Sequence, residues 1–66
     1  MQVEMMRTFR RMKDLSQRQL GERIGVSRTL ISQVENGHIN PYPSLKERIA
    51  EALGVSIKDI WGDDDA

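Results

Sequence analysis

The sequence predicts an all-α domain of five short helices, from three observations. Apolar residues recur at spacings of three and four, as on the buried stripe of a helix, and nowhere show the period-two alternation of a half-buried strand. Ser16, Ser27, Ser44 and Ser56 stand just ahead of periodic segments, where a hydroxyl can accept from the unpaired N–H groups of a first turn. Gly25, Gly37, Gly54 and Gly62 follow those segments, where a helix closing in the left-handed conformation favours a residue without a Cβ.

Residues 3–13 suit the first helix. Val3, Met6, Phe9 and Met12 recur at spacing three, and Arg7, Arg10, Arg11 and Lys13 cover the rest. Methionines in such a stripe are adaptable core filler. Arg10 lies four residues past Met6 and one past Phe9, so it borders the core, and an arginine there needs a partner. Asp14 and Leu15 close this helix, and Leu15 is the apolar residue ahead of the Ser16 cap.

The stretch from Gln17 to Gly37 organises the chain. Ser16 caps residues 17–24, with Gln19 three positions on as a capping box. Leu20 and Ile24 share one face, Gly25 ends the helix and Val26 fills the turn. Gly21 costs this helix about 1 kcal/mol relative to alanine, and a small residue there permits close approach of the next helix. Ser27 caps residues 28–36, Ile31 and Val34 face inward, and Asn36-Gly37 ends the segment. Helix, short glycine turn and helix is the helix-turn-helix arrangement, whose second helix can enter a DNA major groove, and it is equally the pattern of an ordinary αα-hairpin in an all-α protein. Arg28, Thr29, Ser32, Gln33 and Asn36 then face outward, and Arg and Gln can bond bidentately to base edges. Glu35 lies off that face.

Residues 37–43, with prolines 41 and 43, form a loop. His38 is the single histidine; with no cysteine or carboxylate cluster near it, it is either a plain loop residue or a hydrogen-bond donor to phosphate. Tyr42, held between prolines, either packs on the domain or offers its hydroxyl to phosphate. Ser44 and Glu47 make a capping box for a fourth helix, Leu45–Leu53, with Leu45, Ile49, Ala52 and Leu53 inward. Ser56 caps a fifth, Ile57–Trp61, and Asp63, Asp64, Asp65 and Ala66 form an acidic tail after a domain spanning 1–62.

Sixty-six residues make one domain with a small core. No cysteine is present, so disulfides and thiolate metal sites are excluded. No apolar run approaches the roughly 20 residues of a membrane span, and no signal peptide is visible, so the cytoplasm is the expected compartment, at a prokaryotic nucleoid or in a phage-encoded setting. Net charge is zero, yet residues 1–40 carry seven Arg/Lys against four Asp/Glu, while residues 41–66 carry three against six. Such a dipolar molecule can offer one face to phosphates, although a mixed solvated surface fits the charge count equally. No nucleophile–base set, paired carboxylates, phosphate loop or metal-ligand cluster is present, which argues against an enzyme and against any cofactor.

LSQRQLGERIGVSRTLISQVENG and NPYPSLKERIAEALGVSIKDIW together make residues 15–61 closely resemble the lambda-repressor/Cro-type helix-turn-helix family, also called XRE-like. The Leu-Ser-Gln opening, the Gly-Val-Ser turn, the Ile-Ser-x-Val-Glu-Asn-Gly ending and the Ile-Ala-x-Ala-Leu-Gly-Val-Ser run carry the likeness. Gly21 departs from it, standing where the family usually has Ala, as does Leu30, where a polar residue is common.

The resemblance implies a five-helix lambda-repressor-like domain, with the helix-turn-helix formed by helices 2 and 3, that binds double-stranded DNA as a homodimer at a palindromic operator. It implies base contacts at Arg28, Thr29, Ser32 and Gln33, and phosphate contacts at Gln17, Ser27, Asn36, His38 and Asn40. It also implies a partly buried Arg10–Glu35 salt bridge. Arg28 has base contact and phosphate contact both open to it, and Leu30 either touches a thymine methyl or covers the helix. Ile57, Ile60 and Trp61 offer more apolar area than a short terminal helix needs, which suits a dimer contact, whereas Trp61 can equally cap the core. The expected function is a sequence-specific transcriptional regulator of repressor type. The alternatives are an antitoxin that represses its own operon while holding a toxin, and a protein-interaction module that keeps the fold alone.

Overall fold

The computed structural model describes residues 3–62, with side chains from residue 5. The chain forms α1 (Val3–Met12), α2 (Gln17–Ile24), α3 (Arg28–Glu35), α4 (Pro43–Leu53) and α5 (Ile57–Trp61), with no strand among the described residues. The acidic stretch 63–66 lies outside the described residues.

Local chemistry explains most boundaries. Ser16 Oγ accepts from Gln19 N at 3.0 Å, while the Gln19 side chain accepts from Ser16 N at 2.8 Å, so α2 opens with a complete capping box. Gly25 ends it at φ 81°. Ser27 Oγ accepts from Leu30 N at 3.0 Å to open α3. At the far end His38 N donates to Gln33 O and Gly37 N to Val34 O, with Gly37 left-handed at φ 74°. Ser56 and Asp59 form a second reciprocal box on α5.

Three expectations are corrected. Met12 is 72% exposed. A spacing of three drifts about 60° around the helix at each step, so Met12 has rotated away from Met6 while Arg10 has stayed near that face. The fourth helix begins at Pro43, with Tyr42 as N-cap and no side-chain cap bond, so Ser44 lies inside the first turn. Proline fixes a helical φ and lacks the N–H that a first turn leaves unpaired, so the helix starts there. The inner face of α4 buries Ala50 more deeply than Ala52, which packs half-buried at the core's edge, and it includes Lys46, whose Nζ lies 5.6 Å from the Trp61 ring centre.

The core joins all five helices through Met6, Leu20, Ile24, Ile31, Val34, Leu45, Ile49, Leu53, Ile60 and Trp61. Gly21 is buried, and a Cβ built there would lie 2.6 Å from Val26 O. The close approach is therefore by the backbone of the turn, rather than by α3 itself. Arg48 of α4 donates to Ile24 O at the end of α2, which ties α4 to the helix-turn-helix.

Candidate nucleic-acid interface

α3 presents two chemically different sides. Ile31 and Val34 are buried, as is Glu35. Arg28, Thr29 and Gln33 are exposed, and Ser32 and Leu30 are half-buried. Leu30 packs partly against the core, which accounts for an apolar residue beside the polar face. Around this face, Ser27, Asn36, His38 and Asn40 are exposed and Gln17 is half-buried.

Glu35 is the only acid in α3, and it is turned inward. Its side chain is fully buried and accepts from Arg10 Nε at 2.5 Å, from Arg10 Nη2 at 3.2 Å and from Gln17 Nε2 at 3.1 Å. Arg7 Nε stands 3.6 Å from Glu35 Oε1. Arg10 Nη1 donates to Leu15 O at 2.7 Å, so the guanidinium also clamps the link between α1 and α2. Burial pushes the Glu35 carboxyl upward, but hydrogen bonds from Arg10 and Gln17 and the charges of Arg10 and Arg7 outweigh it, holding the group below its ordinary value. The carboxylate thus stays ionised, yet its charge is matched inside the protein and withdrawn from the outer face.

Several expected contact residues already have protein partners. Gln17 directs one amide proton to Glu35. Ser27 Oγ accepts within its own cap, leaving its proton available. Asn36 Oδ1 accepts from Arg7 Nη2 at 3.0 Å, and Asn36 Nδ2 donates to Ser32 Oγ at 3.3 Å. Sequence reasoning missed this link, because Arg7 and Asn36 lie 29 positions apart and no local spacing relates them.

The three residues expected at a dimer contact divide. Ile60 is fully buried and Trp61 is 8% exposed, both in the core of their own chain. They are corrected to core residues, because α5 turns that side onto α1 and α4. Ile57 alone keeps part of its surface open. Among the described residues no cluster could hold a metal ion, and no helix is long and apolar enough to cross a membrane.

A helix-turn-helix family model matches residues 6–60. The chain belongs to the lambda-repressor-type helix-turn-helix family. It is 38% identical over 53 residues to an uncharacterized helix-turn-helix-type transcriptional regulator of Methanocaldococcus jannaschii, covering 80% of each chain. It is 41% identical over 58 residues to another from Methanothermobacter thermautotrophicus, covering 86% of this chain and 84% of that one. The immunity repressor protein of Bacillus phage phi105 is 33% identical over 58 residues, which cover 88% of this chain but 40% of the repressor. No solved structure gives a significant match. As a member of this family the chain is a DNA-binding transcription regulator, not an enzyme, and double-stranded DNA is its partner.

Proposed function

We propose that this regulator is a repressor that reads a palindromic operator as a homodimer, with α3 in the major groove. One observation carries the reading: α3's single acid is buried and paired, leaving Arg28, Thr29 and Gln33 exposed beside it. A face of donors without an exposed carboxylate suits both phosphates and base edges. Arg28, Thr29, Ser32 and Gln33 are the base-reading set, with Gln17, Ser27, His38 and Asn40 against phosphates. α2 crosses the backbone, as the first helix of this motif does.

Dimerisation follows from information content. One recognition helix reaches only a few base pairs, too few to single out a site among the roughly 10⁶–10⁹ competitors in a genome. Two helices set about 34 Å apart read successive turns of one groove. Repression then needs only occupancy of promoter DNA, and the phage immunity repressor among the relatives supports that sense.

The test is selection of binding sites from random duplex DNA at two salt concentrations. An enriched palindrome with half-sites one turn apart is expected. Weak, unselective binding that collapses with salt would reduce the interface to phosphate attraction and refute the reading.

A further inference from the structure

We infer that Arg7 and Asn36 bias the hydrogen-bonding sense of Ser32 towards donation, so that α3 offers DNA a hydroxyl proton at that position. The inference rests on α3 being the base-reading helix. Arg7 belongs to α1, outside the helix-turn-helix, yet its guanidinium bridges two consecutive residues at the end of α3. Nη2 lies 3.0 Å from Asn36 Oδ1, and Nε lies 3.6 Å from the buried Glu35 carboxylate. That carboxylate anchors the guanidinium.

Donor and acceptor chemistry then propagates in one direction. A guanidinium only donates, so the Asn36 atom facing it is the oxygen. The amide nitrogen therefore faces Ser32 Oγ, at 3.3 Å, and it too only donates. That bond takes one of the two lone pairs of Ser32 Oγ, so the hydroxyl keeps its proton and a single lone pair and its balance shifts towards giving. In the major groove a donor finds guanine O6 and N7, thymine O4 and adenine N7, whereas cytosine presents only its N4 amino group. With its proton turned to the groove, Ser32 favours those acceptors over cytosine at one position of each half-site. Asn36, expected at phosphate, is a positioning residue acting through Ser32.

Site selection with the parent chain, Ser32→Ala, Asn36→Asp and Arg7→Met tests this, with a thermal melt of each variant. The parent should disfavour cytosine at one half-site position by about 3–10-fold, the scale of one net hydrogen bond. Ser32→Ala should flatten that position and leave the others. Asn36→Asp replaces the amide with a group that only accepts. One oxygen stays with Arg7 and the other takes the Ser32 proton, so the hydroxyl turns its lone pairs outward. Preference at that position should move to cytosine or adenine, above a uniform weakening from the added charge. Arg7→Met should make the position degenerate while the rest of the motif persists; if that variant fails to fold, Asn36→Asp decides. A Ser32→Ala profile identical to the parent's would mean that the serine reads no base, and a parent preference for cytosine that Ser32→Ala abolishes would mean that its proton goes back to the helix backbone and its lone pair reads the base; either would overturn the inference. So would an Asn36→Asp profile that keeps the parent's base. A parent that enriches no site defeats the base-reading proposal itself, and the inference with it.

Discussion

Replacing Glu35 by glutamine should nearly unfold this domain at room temperature. The substitution keeps size and shape and removes one charge. Three donors converge on the native carboxylate, two from Arg10 and one from Gln17. A glutamine supplies one oxygen, and its amide nitrogen must point at a donor. The Arg10 side chain is only 9% exposed, so its charge is left buried and poorly compensated. Breaking a buried pair in this way costs about 3–5 kcal/mol. A core of this size rarely supplies more than about 3–5 kcal/mol, so little stability remains. For a variant that still folds, each kcal/mol lowers the melting temperature by roughly 4–8 °C. Thermal and urea melts by circular dichroism measure the loss, and an Arg10→Met, Glu35→Leu double variant should recover most of it by removing both charges. A Glu35→Gln melting temperature equal to the parent's would refute the reasoning, and so would a double variant as unstable as the single one. The pH dependence gives a second check. The carboxyl is held below its unfolded value near about 4.3, so its contribution is fully present above that value and disappears as pH falls through the lower folded one. The parent should therefore lose stability below about pH 4.3, and that acid limb should shrink in the Arg10→Met, Glu35→Leu double variant to the part that Asp59, lowered by its bonds with Ser56, still contributes.

Three other outcomes are expected. Gly21→Ala gains about 1 kcal/mol in helix propensity but drives a Cβ to 2.6 Å from a backbone oxygen, and overpacking of this kind costs about 1–3 kcal/mol. A lower urea midpoint should result, and a higher one would show that the turn yields freely. Asp14 is held at φ 56°, so Asp14→Gly should raise stability by about 0.5 kcal/mol, the left-handed strain outweighing the glycine's extra freedom when unfolded; an unchanged midpoint would contradict this. Arg28→Ala should relax selection at one half-site position by about 1–3 kcal/mol if the guanidinium grips a guanine. Uniform weakening across all sequences, read from the same binding assay, would assign Arg28 to phosphate.

The capping serines show why so much was legible. Ser16, Ser27 and Ser56 act on N–H groups three residues away, so each helix start is encoded within one turn of chain. Ser44 fits the same pattern and is overruled by Pro43, one residue before it, whose ring starts the helix earlier. Met12 is misplaced by a spacing that matches a helix over one turn and drifts over three. Ile60 and Trp61 look the same in sequence whether they face a second chain or their own. Only the angle at which α5 lies on α1 and α4 decides, and it buries them.

The sequence by itself determined the helices, the glycine turn between α2 and α3, and the polar set that includes Arg28, Thr29 and Gln33, because these depend on neighbours within a few residues. It also carried the family, in motifs spread over residues 15–61. The Arg10–Glu35 pair that the resemblance implies is present, whereas tertiary structure alone decided that Gln17 and Asn36 turn part of their polarity inward and that Arg7 reaches α3 from α1. Those contacts join residues 18 to 29 positions apart, and their geometry comes from how the helices pack rather than from any local spacing.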